Sequence, residues 1–200
     1  PKVRLYVTVF CGDKSDELDA DTDAEKEWEK WISKDRILHF DKKDNFWEMG
    51  NVGPSGPCSE IHVDIRSDEE RKKLDGKELV NADHPEVIEI WNLVFIQYNR
   101  MADKSLEPLK EKHIDTGMGF ERLTMVLQGK QSTYDIDLFD RTRSFLEAKA
   151  GVTYTKATEE QQIAIRVILD HLRAIGFTIA DVLVPSNSGA GYVIRRILRR

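Results

Sequence analysis

Four side chains suited to holding a small charged molecule are spaced along this 200-residue chain: Trp47, Asn92, Asp115 and Arg122. Asp115 precedes Thr116-Gly117-Met118-Gly119, a stretch that reads as a turn whose glycines let the backbone come close to a ligand. A carboxylate placed there can accept charge-assisted hydrogen bonds from an ammonium group, or it can simply cap the turn. Asn92 interrupts an apolar row in EVIEIWNLVFIQYN (residues 86–99). An unpaired buried amide costs about 1 to 3 kcal/mol, so this one needs a partner, either a neighbouring backbone group or a ligand. Trp47 stands beside the Gly- and Pro-rich run of NFWEMGNVGPSGPCSEI (residues 45–61), where an indole can wall a small pocket and donate its one N–H. An ordinary core tryptophan, of the kind expected for Trp28 and Trp31, is the alternative. Arg122 closes Gly117-Met118-Gly119-Phe120-Glu121-Arg122, and its planar fork of donors suits phosphate or stacking on adenine; an ion pair with Glu121 on a helix surface is the plainer reading.

These residues need a sheet followed by helices. Residues 3–10 read as a strand and 24–33 as a short helix, followed by the Pro-rich segment as a loop. Residues 59–65 alternate Ile61, Val63 and Ile65 against Glu60, His62 and Asp64, the pattern of a strand with one polar face. Residues 66–83 form a charged insertion. The run 86–99 is apolar on both faces and belongs in the middle of a sheet, with a partner strand over 111–115. From Gly119 the period becomes helical, with Phe120, Leu123, Val126 and Leu127 on one side and Gly129 as the stop. Helices are predicted over 133–150 and 158–180, the second opened by a Thr158-x-x-Gln161 capping box with Ala164, Ile168, Ile175 and Ile179 on one stripe. A loop over 185–191 leads into a last helix. Fold class is therefore α+β, an antiparallel sheet followed by a helical region, with domains over 1–128 and 129–200.

Composition narrows the function. A 40% apolar content supports a core. The two cysteines, Cys11 and Cys58, make neither a disulfide framework nor a zinc site. No apolar run approaches the roughly 20 residues of a membrane span, no signal peptide is recognisable, and the expected compartment is the cytoplasm. The net charge of −6 is unevenly spread. Residues 13–29 are strongly acidic and read as a solvated loop leading into a helix. At the other end, Arg195, Arg196, Arg199 and Arg200 cover one side of a helix while Val193, Ile194, Ile197 and Leu198 cover the other.

Taken together, NFWEMG, GPCSEI, EIWNLVF and HIDTGMGFER resemble the catalytic region of alanyl-tRNA synthetases, which are class II aminoacyl-tRNA synthetases. The resemblance covers essentially all 200 residues and ends in PSNSGAGYVIRRILRR, similar to the start of the tRNA-recognition region. It implies ATP-dependent activation of alanine to alanyl-adenylate and transfer to tRNA(Ala), with Mg2+ accompanying ATP and with no residue acting as general acid or base. Trp47, Asn92, Asp115 and Gly117 would bind alanine, Gly119 and Arg122 of motif 3 would bind ATP, and Asn187, Arg195, Arg196, Arg199 and Arg200 would meet the acceptor stem. Ser55 replaces a cysteine common in the family, so no metal or thiol role falls to that segment. Zinc is expected only in an editing region that has no counterpart here. Motifs 1 and 2 have none either, which implies a fragment inactive on its own. A nonenzymatic tRNA-binding module that kept the fold is the alternative.

Overall fold

The computed structural model describes residues 2–199 and separates into two compact units between Gln131 and Ser132. The first unit is built on a six-stranded sheet in the order β2-β1-β4-β5-β6, with β3 paired to β4. Its strands are β1 (Leu5–Phe10), β2 (Ile37–Phe40), β3 (Phe46–Glu48), β4 (Gly53–Asp64), β5 (Val87–Arg100) and β6 (Leu106–Met118). All pairings are antiparallel except β1 with β2. Together with the helices of the second unit this is the α+β class expected from the alternation of patterns.

One face of the sheet is apolar. Val7, Val9 and Ile61 pack there against Ala24 and Trp28 of α1 (Thr22–Glu29), with Phe95 of β5 alongside. Asp21 caps that helix, its side chain accepting from Ala24 N at 3.0 Å and satisfying an otherwise orphaned donor. Trp28 belongs to this core, but Trp31 is 64% exposed, so the expectation of two core tryptophans fails for the second. Asp16, in the acidic run read as solvated, forms ion pairs with Arg100 at 2.6 Å and with Lys42. Hydrogen bonding from Arg100 pulls its carboxyl down to about 2.

The Pro-rich segment is a strand, not a loop. Gly53–Asp64 pairs with both β3 and β5, and its register on β5 shifts between Ser55 and Cys58. Gly56 and Pro57 fall inside that shift, where a missing N–H removes no ladder bond to β5. A Cβ on Gly56 would penetrate the Phe95 carbonyl oxygen. Gly56→Ala is therefore expected to lower unfolding free energy by about 1 to 3 kcal/mol through overpacking, measured by urea denaturation; an unchanged midpoint would contradict it.

The other strand corrections concern the far edge. β6 begins at Leu106, earlier than the predicted 111, and runs through Met118. Thr116, Gly117 and Met118 pair with Leu93, Asn92 and Trp91, so they are not a turn. The ladder on β5 satisfies their backbone groups, and the chain turns only at Gly119, which caps α4 (Phe120–Leu127). That helix buries Met125 and leaves Phe120 and Leu127 exposed, against the predicted side. A single turn, α2 (Lys42–Asn45), precedes β3, and the charged insertion contains α3 (Asp68–Lys73), opened by a reciprocal Ser67–Glu70 capping box.

The second unit holds α5 (Asp137–Ala150), α6 (Glu159–Ala180) and α7 (Gly189–Arg199). Residues 133–135 form a separate 3-10 turn instead of the start of α5. The Thr158–Gln161 capping box opens α6 as read from the sequence. Of the predicted stripe Ile175 is buried, but Ile168 and Ile179 are exposed, and Ile165 and Leu169 are buried instead. The segment is apolar on more than one side, so periodicity alone does not choose the buried one. The loop 185–191 is shorter than predicted, since α7 starts at Gly189. Among the described residues no helix is long and apolar enough to cross a membrane.

Candidate functional site

The second face of the sheet in the first unit is buried and mixed, with polar side chains set among Tyr6, Val87 and Val94. Glu60, His62 and Asp64 occupy alternate positions of β4 and are all buried, so the polar side of this strand faces inward. Thr8, Glu60, Asn92 and Gly117 are successive register partners on β1, β4, β5 and β6, forming one row across four strands. Asp115 stands two residues from Gly117, opposite Val94. Strand pairing thus brings Asn92, Asp115 and Gly117 together.

Hydrogen bonds define how Asn92 is presented. Its Nδ2 donates to Glu60 Oε1 at 3.2 Å, while its Oδ1 is buried without a partner. The requirement that Asn92 be paired is therefore half met by protein. A Cβ built on Gly117 opposite would meet nothing, which leaves open space at the β6 end of the row. Asp115 is exposed beside it. Unlike the enclosed pocket the sequence suggests, the arrangement is an open shelf, because β6 is the sheet's edge among the described residues.

Beside Asn92, on the adjoining strands, lies a network that the sequence reading did not assign to the site. Glu60 Oε2 accepts from Thr8 Oγ1 at 3.0 Å and from Asn81 Nδ2 at 3.2 Å, and His62 Nε2 lies at 3.0 Å. Thr8 Oγ1 accepts in turn from Asn45 Nδ2 at 2.8 Å. Burial alone would raise the Glu60 carboxyl, but the His62 bond and charge, with Asn81 and Thr8, hold it below the usual range. The signal for it was present as Glu60-x-His62-x-Asp64, ionisable groups at period two opposite Ile and Val, beside a strand carrying Thr8. Cys58, opposite Val94 in this region, is driven to about 12 by burial and then by the Glu60 charge. Its thiol stays protonated at neutral pH.

Trp47 lies in β3 opposite Gly56 and is half-buried. Its neighbour Phe46 is the residue that packs on Phe10, at 5.3 Å between ring centroids. Gly119 and Arg122 are adjacent, since a Cβ on Gly119 would come within 3.2 Å of Arg122 Cδ. Arg122 Nη1 donates to the Glu89 carbonyl at 2.9 Å and lies 3.6 Å from the Glu89 carboxylate. Its side chain is half exposed, and its ion-pair partner is Glu89, on the neighbouring strand.

In the second unit Asn187 Oδ1 accepts a hydrogen bond from Arg195. Arg195, Arg196 and Arg199 line a surface depression with Tyr192 and His171, and Arg196 lies over the Tyr192 ring. Ile194 is buried beneath them, whereas Val193 and Leu198, predicted on the covered side, are more than half exposed. Arg200 lies outside the described residues. Among the described residues no three His, Cys, Asp or Glu side chains are grouped to hold a metal ion.

The family described as tRNA synthetases class II (A) matches residues 1–200. Alanine–tRNA ligase of Cytophaga hutchinsonii is 62% identical over 200 residues, covering 100% of this chain and 23% of that protein. The Christiangramia forsetii alanine–tRNA ligase is 62% identical over 197 residues, 98% of this chain and 22% of its own length. That of Parabacteroides distasonis is 61% identical over 198 residues. The chain thus spans about 22% of the curated relatives it matches.

Proposed function

On the premise that the chain belongs to the class II tRNA synthetases (A), we propose that its protein activates alanine with ATP and transfers it to tRNA(Ala). The observation that carries this reading is the buried Asn92 Oδ1, an acceptor without a protein partner, in a row whose Gly117 end is open. An acceptor in that position, with the Asp115 carboxylate beside it, suits an ammonium group, which has three donors and no acceptor. Alanine's α-amino group fits that requirement, and Trp47 supplies the neighbouring wall. A pocket for so small a side chain rejects glycine or serine poorly, because one methylene is worth only about 1 to 3 kcal/mol.

ATP enters as its magnesium complex and is a substrate. Gly119 and Arg122 bind it, the guanidinium exchanging Glu89 for a phosphate or the adenine face. Activation depends on positioning and on neutralising phosphate charge, so no side chain of this chain acts as general acid or base. Asn187, Arg195, Arg196, Arg199 and Arg200 contact the acceptor stem, chiefly through phosphates.

The deciding experiment is ATP–pyrophosphate exchange by the full-length protein with each amino acid in turn. Exchange that depends on alanine supports the reading. No exchange with any amino acid, together with retained tRNA binding, would leave a nonenzymatic tRNA-binding module.

A further inference from the structure

The oxygens of Glu60 are unequally occupied. Oε2 has three polar neighbours, Thr8, His62 and Asn81, whereas Oε1 receives the Asn92 amide. Glu60 is 7% exposed and lies directly opposite Asn92, on the neighbouring strand, in the row across the sheet. An ionised carboxylate only accepts hydrogen bonds, whereas a carboxamide has a donor end and an acceptor end that can exchange by rotation. Of the two orientations available to Asn92, only one places N–H against Glu60; the other sets oxygen against oxygen.

We propose that Glu60 is a positioning residue, which locks the Asn92 carboxamide by its Nδ2 and so keeps the unpartnered Oδ1 as an acceptor for the substrate's ammonium group. The lock is itself held. Thr8 donates to Glu60 while its hydroxyl accepts from Asn45 and from the Glu60 backbone N–H at 3.2 Å, so the carboxylate cannot turn without breaking this set. Selection of the substrate's charged amine then rests on a residue that never touches it. This inference depends on the reading of Asn92 as an amino-acid ligand.

Glu60→Gln keeps size and can still accept from Thr8 and His62, but its amide can also donate, so Asn92 is free to turn its NH2 outward. In the full-length protein, alanine KM in ATP–pyrophosphate exchange is expected to rise about tenfold, a loss of roughly 1.4 kcal/mol, with ATP KM unchanged. The double variant Glu60→Gln/Asn92→Asp restores a fixed donor below and an acceptor above, and should recover alanine KM to within about threefold on the same scale. A merely structural role predicts the reverse, with both KM values disturbed together and the double variant worse than the single. That pattern, or an unchanged alanine KM in Glu60→Gln, overturns the proposal. Asn92→Ala separates the two failures: if it leaves alanine KM unaltered, the amino-acid reading itself is wrong, and if it raises alanine KM while Glu60→Gln does not, only the lock is wrong.

Discussion

Asp115→Asn in the full-length protein is expected to reduce kcat/KM for alanine by about 10- to 100-fold while leaving KM for ATP unchanged. The magnitude follows from one hydrogen bond to a charged group, worth about 1.5 to 3 kcal/mol, exchanged for a neutral one. Asn keeps the shape of Asp115 and one acceptor oxygen, so what it removes is the negative charge facing the ammonium. Folding should hardly notice. Asp115 is exposed on an edge strand opposite Val94, and surface changes of this kind generally fall within about 0.5 kcal/mol. The measurement is steady-state exchange over a range of alanine and of ATP, beside a thermal melt. A normal alanine KM would remove Asp115 from the site, and a lowered melting temperature with both KM values raised would make it structural.

Legibility from the sequence differed by element for physical reasons. The strand β5, interior to the sheet, was plain because it is apolar on both sides, a pattern few other elements share. The cap of α6 was plain because Thr158 and Gln161 satisfy each other's backbone donors locally. The first half of β4 was hidden, since Pro54, Gly56 and Pro57 carry the composition of a loop; only the bulge opposite Phe95 makes a strand tolerable there. Gly117 read as a turn glycine, yet it lies within β6, because a long neighbouring strand can hold residues that locally prefer to turn. In the candidate site, Asn92 announced itself as a polar group in an apolar row, and Asp115 by its place before Thr116-Gly117-Met118-Gly119. For Glu60 the signal was only the period-two run with His62 and Asp64, and ionisable groups on an alternating strand normally face water. The burial of Glu60 comes from elements distant in sequence, with Thr8 and Asn81 converging on it, and Asn45 on Thr8, only after β1, β4 and the later insertion are in place.

The buried pair at the end of the same strand sets the largest effect expected on folding. Asp64 is 0% exposed. Arg66 reaches it through its backbone N–H at 3.1 Å, Nε at 2.9 Å and Nη2 at 2.7 Å, and Nη2 also donates to the Leu74 carbonyl at 3.0 Å. Little room exists for readjustment, since even a Cβ on Gly76 would press on Asp64 Oδ2 and the Tyr6 ring. Removing one partner of a buried pair costs about 3 to 5 kcal/mol, because it strands the other charge. Arg71 Nε, 3.5 Å from Asp64 Oδ2, retains part of the compensation, so Arg66→Leu should lie near the lower end, about 3 kcal/mol. The pH dependence gives a separate check. Burial pushes the Asp64 carboxyl up, but Arg66 bonds and charge outweigh it and hold it below the usual 3.8. A depressed carboxyl contributes stability above its unfolded pKa and loses it as the pH falls through the folded one, so the parent weakens below about pH 4 from this group. In Arg66→Leu burial dominates and the carboxyl rises. Protonation then relieves a stranded charge, so the deficit in urea midpoint should be full at pH 7 and narrow on descending toward pH 4.5. Arg66→Leu/Asp64→Leu should be the more stable of the two variants at neutral pH, for no charge is left without its partner. A deficit that stays constant with pH, or a double variant weaker than the single, would mean that Arg66 holds this corner by packing alone.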